Sequence, residues 1–333
     1  MFFESSMSNG THILDKFEFE NGNILENVEV EYVTFGVPKF DDEGFITNAV
    51  ITFLPYEDRF SFFANAKEFM AMKNIEFNLN DFYFIRISSL GMPNSCSPST
   101  TGLKYNFPNY TMLDIVNFKR KFLKEKFKIK SILSLIGENI GGYEIFTWAC
   151  EYPDEMRSIF VLNSSYKNSG YRYTITKCFD YIMESAEDYY SDTYSMTSSR
   201  MLIAVNTLIL AQYLPKNVLN KMENYEIDAL LDVFNDEGLF KDIYDFKLQT
   251  ECLLEYEISE DKLKNIKAKS LFAGINLIFY DEDVDLIPLE SLIEDSTVLI
   301  YEDPIKSIDF SAYDYAHLIR DATKFLNEQL DKE

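Results

Sequence analysis

The chain has 333 residues, 55 Asp and Glu against 31 Lys and Arg, a formal charge of −24, and only two histidines, His12 and His317. Hydrophobic residues at 47% and aromatics at 16% exclude a disordered chain, because that much apolar surface offsets chain entropy. The acidic balance argues against nucleic acid or an anionic membrane as partner, since both need clustered cations, and two histidines leave almost no material for a multi-histidine metal site.

In chain order, 28–34 and 49–54 read as strands, and a helical pattern follows around 60–72. A third strand over 82–87 ends in a loop, 88–106, rich in Ser, Pro, Gly and Asn. Thr111-Met112-Leu113-Asp114 has the form of a capping box and predicts a helix running to about Lys126. Continuous apolar runs over 131–136 and 158–162 read as strands of a parallel sheet buried on both faces. From about Tyr171 to Lys267 helical spacing dominates, Gly238 is the single glycine, and acidic residues are frequent. Strand character returns over 270–280 and 297–301, and a helix over 313–330 closes the chain. The expected architecture is an α/β core (1–170 and 268–333) interrupted by a helical insertion (171–267).

Met1 to Ser6 has no basic start or apolar stretch of signal-peptide length, and the longest apolar runs are too short to span a bilayer. Cys96, Cys150, Cys178 and Cys252 form no CxxC pair, which fits reduced thiols. A cytoplasmic protein is the expectation.

The most informative segment is Leu135-Ile136-Gly137-Glu138-Asn139-Ile140-Gly141-Gly142. It follows a buried strand and opens a helix, the setting of a G-x-S-x-G nucleophile elbow, with Asn139 where serine is expected. Around it stand, in order, Asn48-Ala49-Val50, Leu90-Gly91, Ser97-Pro98, Phe107-Pro108, Asp114, Trp148-Ala149 and Tyr152-Pro153-Asp154; Leu254 to Ile266 and an acidic segment ending at Pro288 follow. In this ordered set the chain resembles the homoserine O-acetyltransferase family over nearly its whole length. The resemblance implies an α/β-hydrolase fold, a mostly parallel sheet flanked by helices, with the insertion as a helical lid. It also implies a Ser-Asp-His triad that passes an acetyl group from acetyl-CoA to a homoserine hydroxyl.

The positions that match that triad depart from it. The nucleophile position is Asn139, whose carboxamide is no substitute for an alkoxide. Spacing from the chain end puts Ile308, followed by Asp309, at the base position; a shifted alignment puts Tyr313 and Asp314 there. Neither is a base suited to neutral pH. Asp281, Asp283 and Asp285 compete for the acid position, with Asp283 as the candidate, and their spacing to Pro288 is irregular. Leu54-Pro55 replaces the histidine of the oxyanion-side loop, and Pro55 has no amide hydrogen to donate. Asn tolerates positive φ, so it preserves the turn while removing the chemistry.

Leu54, Pro55, Glu138, Asn139 and Ile140 are the ligand-pocket candidates. Ser95 and Cys96 are substitute nucleophiles only if a base stands near them; otherwise they are turn or packing residues. His317 reads as a helix-face residue and His12 as one without a partner near it in sequence. Glu138 is either an acid or ligand contact, or a solvent-facing or helix-capping residue. Trp148 reads as core. The function expected is a non-catalytic family member that binds a small molecule or supports a partner, through a lid-mediated homodimer or pairing with an active paralogue. No cofactor is expected, and acetyl-CoA enters as co-substrate only in the alternative, an active acyltransferase or hydrolase using other residues.

Overall fold

Short β-branched and aromatic runs bury both faces of a strand only when helices cover both sides, and this requirement organises the chain. The computed structural model describes residues 8–53, 79–93, 95–186, 196–213, 216–237, 242–275, 280–301 and 316–330. Among them eight strands form one sheet: Ser8–Glu18 (β1), Ile24–Gly36 (β2), Ala49–Phe53 (β3), Tyr83–Ile87 (β4), Ile132–Glu138 (β5), Met156–Leu162 (β6), Lys269–Ile275 (β7) and Ser296–Tyr301 (β8). Their spatial order is β1-β2-β4-β3-β5-β6-β7-β8. The pairs β1·β2 and β2·β4 are antiparallel and the rest parallel, with Ile51 opposite both Ile85 and Leu135, and Leu135 opposite Ile159. The sheet is therefore mostly parallel, and its central strand β5 is buried at every residue.

One face packs against the helices Met112–Lys126 (α1) and Ile140–Glu151 (α2), with Phe17, Phe118, Phe122, Phe146 and Trp148 in a single apolar cluster. The other packs against the C-terminal helix Ala316–Leu330 (α7, numbered after those below), through Ile136, Phe160, Leu271, Leu318 and Phe325. Between β6 and β7 the chain forms the helices Gly170–Glu184 (α3), Met196–Tyr213 (α4), Asn224–Glu237 (α5) and Ile243–Leu254 (α6), where helical spacing had replaced strand character in the sequence. Helices α3 and α6 are joined by the ion pair of Asp180 with Lys247 and by the edge-on rings of Phe179 and Phe246.

The capping box forms as read. Thr111 Oγ1 accepts from Asp114 N at 3.1 Å, and Asp114 Oδ2 accepts from Thr111 N at 3.0 Å. Strand β1 was not expected. Its burial alternates poorly, only Leu14 and Phe17 being buried, so it carries no period-two signal. His12 lies on it and does have a partner, Glu125 Oε2 at 3.1 Å, 113 residues away. The 88–106 loop contains two short helical turns, Pro98–Thr101 and Lys104–Asn106, and Asp281 caps a single π-helical turn, Glu282–Leu286. The helix expected over 60–72 lies outside the described residues, as does the start of the one expected over 313–330.

Several sequence landmarks prove to be joints of this framework. Asn48 is buried and bonds the backbone of three separate residues: its Nδ2 donates to Val37 and Asp81 carbonyls, and its Oδ1 accepts from Lys39 N. Gly91 has φ +83°, and a Cβ there would overlap the Tyr110 ring. Asp114 also accepts from Glu20 N at 2.8 Å, tying α1 to the β1–β2 hairpin. Thr111→Ala removes one cap bond and is expected to lower unfolding free energy by about 1 kcal/mol, read as a lower urea midpoint at unchanged slope.

Candidate functional site

Strand β5 ends at Glu138 and helix α2 begins at Ile140, so one residue, Asn139, makes the whole turn between them. Its φ of 52° and ψ of −119° lie in a region that side-chain-bearing residues rarely enter, and the strain is of order 1–3 kcal/mol. That is the sharp strand-to-helix turn of a nucleophile elbow, which thrusts its central side chain out above the sheet.

The surroundings hold the turn in place. Asn139 N donates to Leu162 O at 3.1 Å, continuing the β5–β6 pairing, and Gly142 N donates to Asn139 O at 2.9 Å. Ser164 Oγ, fully buried just beyond β6, donates to the same Asn139 carbonyl at 2.7 Å. Gly141 lets α2 rest on β3, because a Cβ there would fall inside the contact shell of the Phe53 carbonyl. Gly142 leaves room for the Ser164 hydroxyl in the same way. Phe53 meets Trp148 edge-on at 6.0 Å, and Trp148, a core residue as read, donates from Nε1 to Glu155 at 3.0 Å.

Beneath the elbow lies a buried ion pair, Lys119 Nζ to Glu144 Oε2 at 2.5 Å, joining α1 to α2. The ammonium also sits 4.6 Å from the centre of the Phe53 ring, and Ser89 Oγ donates to Glu144 Oε1 at 3.1 Å. Burial pulls the Lys119 amine down from the usual lysine range, and Glu144 opposes that shift.

The ligand-pocket candidates are distributed as follows. Glu138 is buried, which removes the solvent-facing reading, and Asn139 and Ile140 are half-buried at the mouth of α2. Leu54, Pro55, Ile308, Asp309, Tyr313 and Asp314 lie outside the described residues. In the acidic segment, Asp283 is exposed and its amide is bonded to Asp281 Oδ1 at 3.0 Å. The buried carboxylate is that of Asp285, held by Arg172 of α3 at 2.7 and 2.8 Å. The turn leaves 281–284 exposed and buries 285 and 286, which separates the two, a distinction that irregular spacing in the sequence does not make.

Ser95 and Cys96 do not make a nucleophilic centre. Ser95 Oγ is buried and donates to Glu29 O at 3.1 Å, and burial pushes the Cys96 thiol up to about 12, far from thiolate. His317 is exposed on α7. Among the described residues no three His, Cys, Asp or Glu side chains gather as a metal would require, and no helix is long and apolar enough to cross a membrane.

One titratable group in this region was missed in the sequence. Asp245 on α6 is fully buried against the turn after the 88–106 loop's Ser97, accepting from Ser99 N at 2.8 Å and Ser99 Oγ at 2.5 Å. Burial pushes its carboxyl up to about 6, partly opposed by those serine donors. An Asp within helical spacing gives no sign of this, because the cause is burial against a contact 146 residues away.

No family model matches the sequence. A protein of Methanothermobacter thermautotrophicus described as a probable acyltransferase is 32% identical over 290 residues, 87% of this chain and 89% of that protein. A homoserine O-acetyltransferase of Pasteurella multocida is 28% identical over 163 residues, 45% of this chain and 44% of that one. The chain belongs to the homoserine O-acetyltransferase-like family of acyltransferases. The crystal structure of the homoserine O-acetyltransferase from Bacillus anthracis superposes with a TM-score of 0.75 at 15% identity, over 97% of this chain and 98% of that one, and shows the α/β-hydrolase fold. The side chain at the turn is a neutral carboxamide with two donors and one acceptor oxygen.

Two outcomes follow from the geometry. Asn139→Gly is expected to stay within about 1 kcal/mol of the parent, as relief of strain offsets added chain entropy, whereas Asn139→Val and Gly141→Ala each cost about 2–3 kcal/mol in chemical denaturation. For Asp245 the folded carboxyl titrates near 6 and the unfolded one near about 4, so the native state holds the extra proton between them. Its contribution therefore falls as pH rises from about 4 to about 6 and is constant above that, a total of roughly 3 kcal/mol. The stability difference between Asp245→Asn and the parent, measured by urea unfolding, should shift in favour of the variant across that window.

Proposed function

We propose that this chain is a non-catalytic member of its family, which has kept the elbow and its cleft and uses them to hold a small molecule instead of transferring an acyl group. One observation carries the reading: the residue in elbow geometry is Asn139, and a carboxamide cannot form the acyl-enzyme that the family mechanism requires. The carboxamide, the first amides of α2 and the helix dipole together favour a polar or anionic ligand group above the turn. Supporting it, the acidic group buried in the post-β7 turn, Asp285, is taken up by Arg172, and Ile308 at the expected base position is not a base.

In this reading the α3–α6 helices act as a lid over Glu138, Asn139 and Ile140, and offer a surface for a homodimer or for an active paralogue. No cofactor is used. The competing reading, an active acyltransferase with acetyl-CoA as co-substrate, draws on the relative described as a probable acyltransferase. Purified protein incubated with acetyl-CoA and homoserine should release no CoA above the uncatalysed rate, and intact mass should show no acetyl adduct. Turnover that is lost in Asn139→Ala, or an adduct mapped to any side chain, would establish the competing reading.

A further inference from the structure

Of the buried charges, one pair spans three parts of the fold and has no part in the reading above beyond being occupied. Arg172 is in the first turn of α3, in the insertion. Its Nη1 and Nη2 donate to Asp285 Oδ2 and Oδ1 at 2.7 and 2.8 Å, a two-pronged pair between side chains 9% and 2% exposed. Nη2 also donates to Lys167 O at 3.0 Å, and the guanidinium lies 4.5 Å from the centre of the Tyr280 ring. Asp285 Oδ2 accepts in addition from Asp281 N at 2.8 Å, so both carboxylate oxygens are engaged. Tyr143, one turn into the elbow helix, is buried close enough to Arg172 and Tyr280 for both to oppose the upward push of burial on its phenol, and it stacks on Tyr256, which follows α6, at 4.1 Å and 13°.

We propose that Arg172 and Asp285 form an ionic latch that fastens the inserted helices to the post-β7 turn and the elbow helix, so that release of this pair loosens α3 and α2 together. Three features lead to it. The pair is reached from the insertion, the post-β7 turn and, through Tyr143, the elbow helix, so breaking it releases all three at once. Both partners are buried, so removing one leaves an uncompensated charge that drives local opening to admit water. Finally, α3 presents exposed Tyr171, Tyr173 and Tyr181 on its outer side, so its first turn is anchored inward chiefly through Arg172. The latch goes beyond the binding role proposed above and stands or falls separately from it, since its readout does not involve acyl transfer.

The test is hydrogen exchange by mass spectrometry on the full-length protein, comparing the parent with Arg172→Met, Asp285→Asn, Arg172→Lys and the double variant Arg172→Met/Asp285→Leu. Each single loss should raise exchange in 170–184 and 140–151 by about tenfold or more, while the β1–β2 hairpin stays at the parent rate. Arg172→Lys, which keeps charge but loses the fork, should fall between, and serves if Arg172→Met does not fold. The double variant should regain at least half of the lost protection, because an apolar pair leaves no stranded charge. Unchanged exchange, a rise spread evenly over all segments including the hairpin, or additive effects in the double variant would each overturn the latch.

Discussion

The backbone of Asn139 is the constraint on which the rest of this molecule turns. In a parallel sheet the C-terminal end of β5 points the wrong way for α2 to return along the sheet, and a single residue at positive φ makes the reversal. Such a residue stays strained only if its neighbours over-determine it. Here they do: the sheet pairing to Leu162, the Ser164 hydroxyl on its carbonyl, and two glycines that let α2 touch β3 and the segment after β6. A loop that merely connected strand to helix would have relaxed into an ordinary turn. This one is held in a costly shape around a carboxamide side chain.

Charge is used inside the fold in a way that the net charge of −24 does not suggest. Lys119 with Glu144, Arg172 with Asp285, and Lys247 with Asp180 are all buried pairs linking different elements. Apolar burial holds the layers together without specifying how they are rotated against each other, because it is non-directional. Paired charges with fixed hydrogen-bond geometry do specify it, since a misplaced partner leaves a buried charge unmet. The same logic explains Asp245, where serine donors compensate the carboxylate only in part, so its proton equilibrium stays within reach of mild acid.

Much of the framework was legible because its signals are local. The Thr111–Asp114 box, the apolar runs of β5 and β6, and the small-residue pattern at 137–142 each act within a few residues, and each formed as read. What escaped depends on contacts between distant parts of the chain. Strand β1 has too few buried positions to show a period, the role of Asn48 is to bond three remote backbone groups, and His12 finds Glu125 only across the sheet edge. In the acidic segment three aspartates within five residues look alike in sequence, and the π-helical turn buries one of them and exposes another.

The order of motifs along the chain was enough to anticipate the fold and the family and to put Asn139 at the strand-to-helix turn, because a side chain's chemistry does not depend on where it is placed. Tertiary structure alone decided that Asn139 keeps the elbow dihedrals, that Ser95 and Cys96 are locked into packing, and that Asp285 rather than Asp283 is the buried acid, already bound to Arg172. Those outcomes rest on burial and on which groups meet across more than a hundred residues of chain, and neither is written in local spacing.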